Sequence, residues 1–186
     1  MTAEAEARKL RKEAKMQARR AQLALSRQDH GGPQAWRGWF DGSAHPNPGK
    51  LGIGALLLGP DGERIEVSQA AGHGSSSDAE YAALIAVLQA AQAVRPPPEQ
   101  LLLFGDSQVV INDVLGTTPV GAKGLEMHRA TVVALLEQFN DVSLRWLPRH
   151  RNGEADRLSQ LAIAGFTPEA SIPGSYPQGT TPAVTG

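Results

Sequence analysis

The chain has 186 residues, a net charge of −1 from 18 basic and 19 acidic side chains, and no cysteine. That length suits one domain with a normal hydrophobic core and extensions at its ends. Without cysteine there is no disulfide framework and no thiol chemistry. No apolar run reaches membrane length or has the form of a secretory leader, so a cytoplasmic protein with no membrane contact is expected.

Residues 1–27 carry eight Lys or Arg against three Glu, whereas the rest of the chain carries ten basic and sixteen acidic residues. Ala, Gln, Lys and Arg are good helix formers, but Leu10, Met16, Leu23 and Leu25 make no sustained stripe. Residues 1–33 therefore read as a basic, helical or flexible extension that ends in a linker containing Gly31, Gly32 and Pro33. It is either a solvated arm without a role or an arm that holds nucleic acid for an otherwise acidic domain. Strands are predicted over 36–43, 52–59 and 64–71, the first two joined across a turn at 46–49. A long helix over 78–94 stops before Pro96. A strand at 101–105, a short helix at 107–115, a second long helix at 124–139, a strand at 142–147 and a last helix at 153–164 follow. Three adjacent strands, then strands alternating with helices, predict an α/β domain over 34–166: a five-stranded mixed sheet flanked by helices. Residues 167–186 are rich in Pro, Gly, Ser and Thr and are expected to be a disordered tail.

Four carboxylates stand out against this layout. Asp41 closes an aromatic strand-like run, although an Asp before Gly42 also suits a plain turn. Leu84, Val87, Leu88 and Ala91 follow Glu80 at helical spacing, so Glu80 begins the apolar stripe. A carboxylate there is costly unless it is paired or bound to a cation, while an acid in a first turn also complements the helix dipole. Asp106 lies just past a short apolar strand, where ligands bind in open α/β sheets; an N-cap for the next helix is the alternative. Asp156 alone reads as a first-turn helix acid. No local structure needs an acid in all four places, and two divalent cations facing a phosphodiester would.

In these same segments the chain resembles type 1 ribonuclease H, over about 36–164. Asp41-Gly42-Ser43 with Asn47-Pro48-Gly49 is similar to the family's first hairpin, and Ala79-Glu80-Tyr81 to its first long helix. Asp106-Ser107-Gln108 is similar to the end of its fourth strand. Trp146 to His150, Asn152 and Glu154-Ala155-Asp156 are similar to its last strand, loop and helix. The resemblance implies a ribonuclease H-like fold and an endonuclease that cuts the RNA strand of an RNA–DNA hybrid, leaving 5′-phosphate and 3′-hydroxyl ends. It implies that Asp41, Glu80, Asp106 and Asp156 ligate two Mg²⁺ ions, with Mn²⁺ as the other candidate. His150 stands where the family has a mobile histidine that shuttles a proton or helps product leave; otherwise it is an exposed loop residue. Gly42, Ser43, Asn47, Ser76, Ser77, Ser107, Gln108 and Asn152 are the implied substrate contacts, in a monomer.

Three features depart from the family pattern. The stretch from His150 to Asp156 is short. Ser76 and Ser77 stand where many members carry paired asparagines that read the RNA 2′-hydroxyl. The stretch 116–129 carries only Lys123 and Arg129 as permanent cations, so it is not the large basic handle that grips the hybrid in some members. A non-catalytic hybrid- or RNA-binding module on the same fold stays open as an alternative. Another polynucleotidyl transferase is a third reading, against which the DGS hairpin and the EADRL helix argue.

Overall fold

The computed structural model describes residues 31–117 and 124–165, so the expectations for residues 1–30, Lys123 and the 167–186 tail fall outside it. Five strands form one sheet: β1 (Trp36–His45), β2 (Gly49–Leu58), β3 (Arg64–Gly74), β4 (Leu101–Gly105) and β5 (Val142–Trp146). Their order is β3-β2-β1-β4-β5. The β1–β2 and β2–β3 pairs are antiparallel, and β1–β4 and β4–β5 are parallel. This is the mixed sheet that the element order predicts. The helices are α1 (Ser76–Ala93), α2 (Gln108–Val114), α3 (Glu126–Leu136) and α4 (Gly153–Ala164).

α1 begins two residues before the predicted start because Ser75 caps it. The Asp78 backbone N–H donates to the Ser75 hydroxyl at 3.3 Å, and the Ser75 N–H donates to the Asp78 carboxylate at 2.8 Å. This reciprocal box satisfies two otherwise orphaned donors. The helix ends ahead of Pro96, whose ring and missing N–H cannot continue it. Its predicted stripe, Leu84, Val87, Leu88 and Ala91, is fully buried and joins Phe40, Leu57, Leu101 and Leu103 in the core. α3 packs on the outside of α1, and α4 crosses β2, β1 and β3 from the other face of the sheet.

Other boundaries differ from expectation, β3 among them, which runs to Gly74. β1 runs to His45 and β2 starts at Gly49, because His45 pairs with Lys50, and Gly49 and Lys50 pair with Gly74 and His73 of β3. Glycine has low strand propensity, so this stretch carries no local strand signal; pairing partners extend it. α3 is shorter than predicted, with Leu125 at its N-cap and its end tightened into a turn in which the Gln138 N–H donates to the Leu135 carbonyl at 3.2 Å. Among the described residues, no helix is long and apolar enough to cross a membrane.

Candidate metal centre

β1 is where the sheet changes from antiparallel to parallel pairing. Its ladder with β4 ends at Trp39 and Phe104, so Asp41, two residues further along β1, and Asp106, just past the end of β4, lie side by side. Ligands gather at such switch points in open α/β sheets. Glu80 arrives from α1. Gly42 makes that approach possible, since a Cβ there would lie 2.1 Å from the Ala79 carbonyl carbon and 2.2 Å from the Glu80 nitrogen. Three elements thereby converge, and a carboxylate oxygen from each of Asp41, Glu80 and Asp106 lies within 4.8 Å of the other two.

Asp41 is buried, and Glu80 and Asp106 are half-buried. Asp41 is 2% exposed, and burial pushes its carboxyl up to about 6. Asp106 and Asp156 push the same way, while the Ser159 hydroxyl opposes them. Glu80 is pushed up to about 9, first by burial and then by the charges of Asp41 and Asp106. One Glu80 oxygen, Oε2, is buried without a hydrogen-bond partner. An unsatisfied buried carboxylate oxygen among like charges is costly, and a cation in their midst removes the cost. The donors are all oxygen, the set that hard cations such as Mg²⁺ prefer.

Asn152, an expected substrate contact, is 1% exposed and lies beneath the acids. Its side-chain amide donates to the Phe40 carbonyl and to Asp106 Oδ1, each at 2.9 Å. The start of α4 is thus tied to β1 and to the end of β4. The Trp146 indole N–H adds a hydrogen bond to the Asp106 carbonyl at 3.0 Å. Asp156 lies in the first turn of α4 and raises the Asp41 carboxyl, but it stands outside the group of three and pairs with Arg149 at 2.7 Å. His150 is exposed in a 3-10 turn over Arg149–Arg151.

The other sequence-predicted residues fall into two sets. Asn47 and Ser76 are bonded to each other: the Asn47 amide donates to Ser76 Oγ at 3.1 Å and accepts from the Ser76 N–H at 3.0 Å. Ser77 is half-buried beside them, Ser107 is the N-cap of α2 without a side-chain capping bond, and Gln108 is exposed. Ser43, by contrast, is engaged inward with Ser159 Oγ at 2.8 Å. Ser159 and Arg149 are missing from the residues singled out in the sequence. Ser159 had a signal: it is a hydroxyl on the buried stripe that Ala155, Leu158 and Ala162 form on α4. Arg149, seven positions before Asp156, had none beyond its charge.

Comparisons with known proteins bear on the same segment. Residues 39–162 match the family model described as Reverse transcriptase-like. The chain is similar to Ribonuclease HI of Halobacterium salinarum, 34% identical over 126 residues, covering 67% of this chain and 62% of that protein. The crystal structure of RNase H1 from that archaeon superposes with a TM-score of 0.65 at 33% identity, covering 70% of this chain and 98% of that one. A bifunctional protein of Mycobacterium tuberculosis is 32% identical over 156 residues, covering 78% of this chain and 42% of that protein. LC11-RNase H1, solved in complex with RNA/DNA hybrid, gives a TM-score of 0.63 at 26% identity, covering 69% of this chain and 96% of that one. The chain thus spans 62% and 42% of the length of the two curated relatives.

Proposed function

The chain belongs to the type 1 ribonuclease H family, and from that premise we propose that it is a metal-dependent endonuclease that hydrolyses the RNA strand of RNA–DNA hybrids, leaving 5′-phosphate and 3′-hydroxyl ends. The observation that carries this reading is the convergence of Asp41, Glu80 and Asp106 within 4.8 Å, with a buried Glu80 oxygen left without a partner. The hybrid bound to LC11-RNase H1 supports the choice of substrate.

Asp41, Glu80, Asp106 and Asp156 would hold two Mg²⁺ ions, and the same oxygen donors would accept Mn²⁺. When bound, such a pair activates water and offsets charge on the attacking and leaving oxygens of an in-line displacement at phosphorus. The protein's own part is positioning. Asn152 fixes Asp106 through a hydrogen bond at 2.9 Å. Arg149 holds Asp156 at 2.7 Å and lowers the cost of gathering anions before a cation arrives. His150, exposed to solvent, would carry a proton or help product leave. Gly42, Asn47, Ser76, Ser77, Ser107 and Gln108 sit on the segments that carry the acids and would meet the hybrid. There the serine hydroxyls would bond the RNA 2′-hydroxyl, the group that distinguishes RNA from DNA. The basic segment within residues 1–30 would contact phosphates and make binding depend on salt.

The test is a labelled RNA–DNA hybrid, with duplex RNA and duplex DNA as controls, incubated with Mg²⁺, Mn²⁺ or EDTA. Metal-dependent cleavage of the RNA strand alone, with 3′-hydroxyl products, is the expected outcome. Binding of the hybrid without cleavage in either metal would instead identify a non-catalytic module.

A further inference from the structure

We propose that Ser159 is the positioning residue for Asp41: its hydroxyl, driven by a one-way hydrogen-bond chain through Gln160 and Ser43, fixes the Asp41 carboxylate for cation binding. The inference rests on the reading that the acids hold a divalent cation, and it adds a part of the site that lies on a different helix turn from Asp156.

The geometry is specific. Ser159 Oγ lies 2.5 Å from Asp41 Oδ2, 2.8 Å from Ser43 Oγ and 2.9 Å from the Asp156 carbonyl. The Gln160 side-chain amide lies 2.9 Å from Ser43 Oγ. Ser43 Oγ is also 3.5 Å from Asp41 Oδ2, a much longer contact. Each hydroxyl has one proton to give. The Gln160 NH2 group that faces Ser43 can only donate, and an ionised Asp41 can only accept. The Ser159 proton has two acceptors in reach, and the nearer and charged one, Asp41 Oδ2 at 2.5 Å, takes it ahead of the neutral Asp156 carbonyl at 2.9 Å. The chain then runs from Gln160 N–H to Ser43, from Ser43 O–H to Ser159, and from Ser159 O–H to Asp41 Oδ2. Hydrogen bonds in such a chain polarise one another, and the last one, onto a carboxylate, is charge-assisted.

The fold is built to put Ser159 there. Asp41 pairs with Gly54 and Ser43 with Gly52 across β1 and β2. A Cβ on Gly54 would meet the Ser159 nitrogen at 2.4 Å, and one on Gly52 would meet the Ser159 carbonyl at 2.3 Å. The α4 backbone thus rests on β2 at Ser159, whose side chain is wholly buried. A buried hydroxyl on an apolar helix stripe needs a partner, and here that partner is an acid of the cluster. With Oδ2 committed to Ser159, the carboxylate loses the torsional freedom that a cation would otherwise have to remove on binding. Ser159 also lies three residues after Asp156, so one helix carries both the hydroxyl that orients Asp41 and the fourth acid.

The test is calorimetric titration of the purified chain with Mg²⁺ and with Mn²⁺, alongside hybrid cleavage and metal-free melting. Removing a partner that orients a metal ligand typically weakens affinity about 10–100-fold. Ser159→Ala is expected to weaken both cations by about tenfold and to lower kcat with KM for the hybrid unchanged, while the metal-free protein melts within a few degrees of wild type. Ser159→Thr, which restores the hydroxyl, is expected to recover affinity. Gln160 is exposed, so Gln160→Ala serves if the buried substitutions fail to fold; a weakening of about two- to fivefold is expected as the chain is deprived of its first donor. Unchanged affinity in the variant that folds would overturn the proposal. So would a weakening that tracks the fall in metal-free melting temperature and is not recovered by Thr. Failure of the wild-type chain to bind either cation would instead overturn the metal-site reading itself.

Discussion

Gly42→Ala separates the positioning of Glu80 from its chemistry, because it leaves all four acids in place. The added Cβ would lie 2.1 Å from the Ala79 carbonyl carbon and 2.4 Å from its oxygen, where ordinary contact begins at 3.4 Å, so α1 has to retreat by about 1 Å. Those are backbone atoms, and no side-chain rotation relieves the clash. Overpacking of this kind costs about 1–3 kcal/mol. At about 4 °C per kcal/mol for a domain of this size, Tm falls by about 4–12 °C. Displacement of a catalytic group by about 1 Å costs about 100-fold in rate. Gly153→Ala is the control, since a Cβ there meets nothing within 4 Å at the start of α4. It is expected to be neutral or to stabilise by about 0.4–1 kcal/mol. Thermal melts in EDTA, cation titrations and hybrid-cleavage rates on both variants read all three quantities. A Gly42→Ala protein with wild-type melting, cation affinity and turnover would refute the reasoning that this glycine seats α1 against β1 to place Glu80.

The buried acids also set a pH dependence. Because burial raises Asp41 to about 6 and Glu80 to about 9, the metal-free folded chain holds protons that the unfolded chain releases above pH ~4. Its stability therefore falls as pH rises from about 4 towards 9. Saturating Mg²⁺ or the substitution Glu80→Gln flattens that fall, and urea melts across the range in EDTA would contradict it by showing stability rising. His150→Ala is expected to lower kcat by about one to two orders of magnitude with little change in KM, and equal single-turnover and steady-state rates in both proteins would make His150 an ordinary loop residue. Deleting residues 1–30 is expected to raise KM for the hybrid and to reduce the log–log salt slope by about one unit for each phosphate that the segment neutralises; an unchanged slope would show that the segment does not touch substrate.

The elements whose hydrophobic pattern is self-sufficient were legible in the sequence. The α1 stripe from Leu84 to Ala91, the apolar β4 and the α4 boundaries appear as the spacing predicts. The β1–β2 hairpin end was not, because Gly49 and Lys50 are strand residues only through their pairing with β3. The site divides in the same way. Glu80 betrays itself as a charge on an apolar face, and Asp106 by its place after a strand. The inward role of Asn152 is not readable from a loop sequence, since it depends on Asp106 and the Phe40 carbonyl, 46 and 112 positions away. Ser159 is 118 positions from Asp41 and shows only as a polar residue on a buried stripe. The resemblance implies that Asp156 is a ligand like the other three, and its ion-pair partner among the described residues is Arg149. That pairing depends on how the 3-10 turn folds the short loop back over α4.

Hybrid cleavage in Mg²⁺, comparing the wild-type chain with Asp106→Asn, tests most directly whether the clustered acids cut RNA through bound metal. The substitution keeps an acceptor for the Asn152 amide. The wild type is expected to cut only the RNA strand and to stop in EDTA. Asp106→Asn is expected to melt at or above the wild-type temperature, freed of like-charge repulsion, to bind the hybrid and not to cut it. Near-normal turnover by Asp106→Asn, or cleavage by the wild type that persists in EDTA, would contradict a metal-dependent nuclease built on these acids.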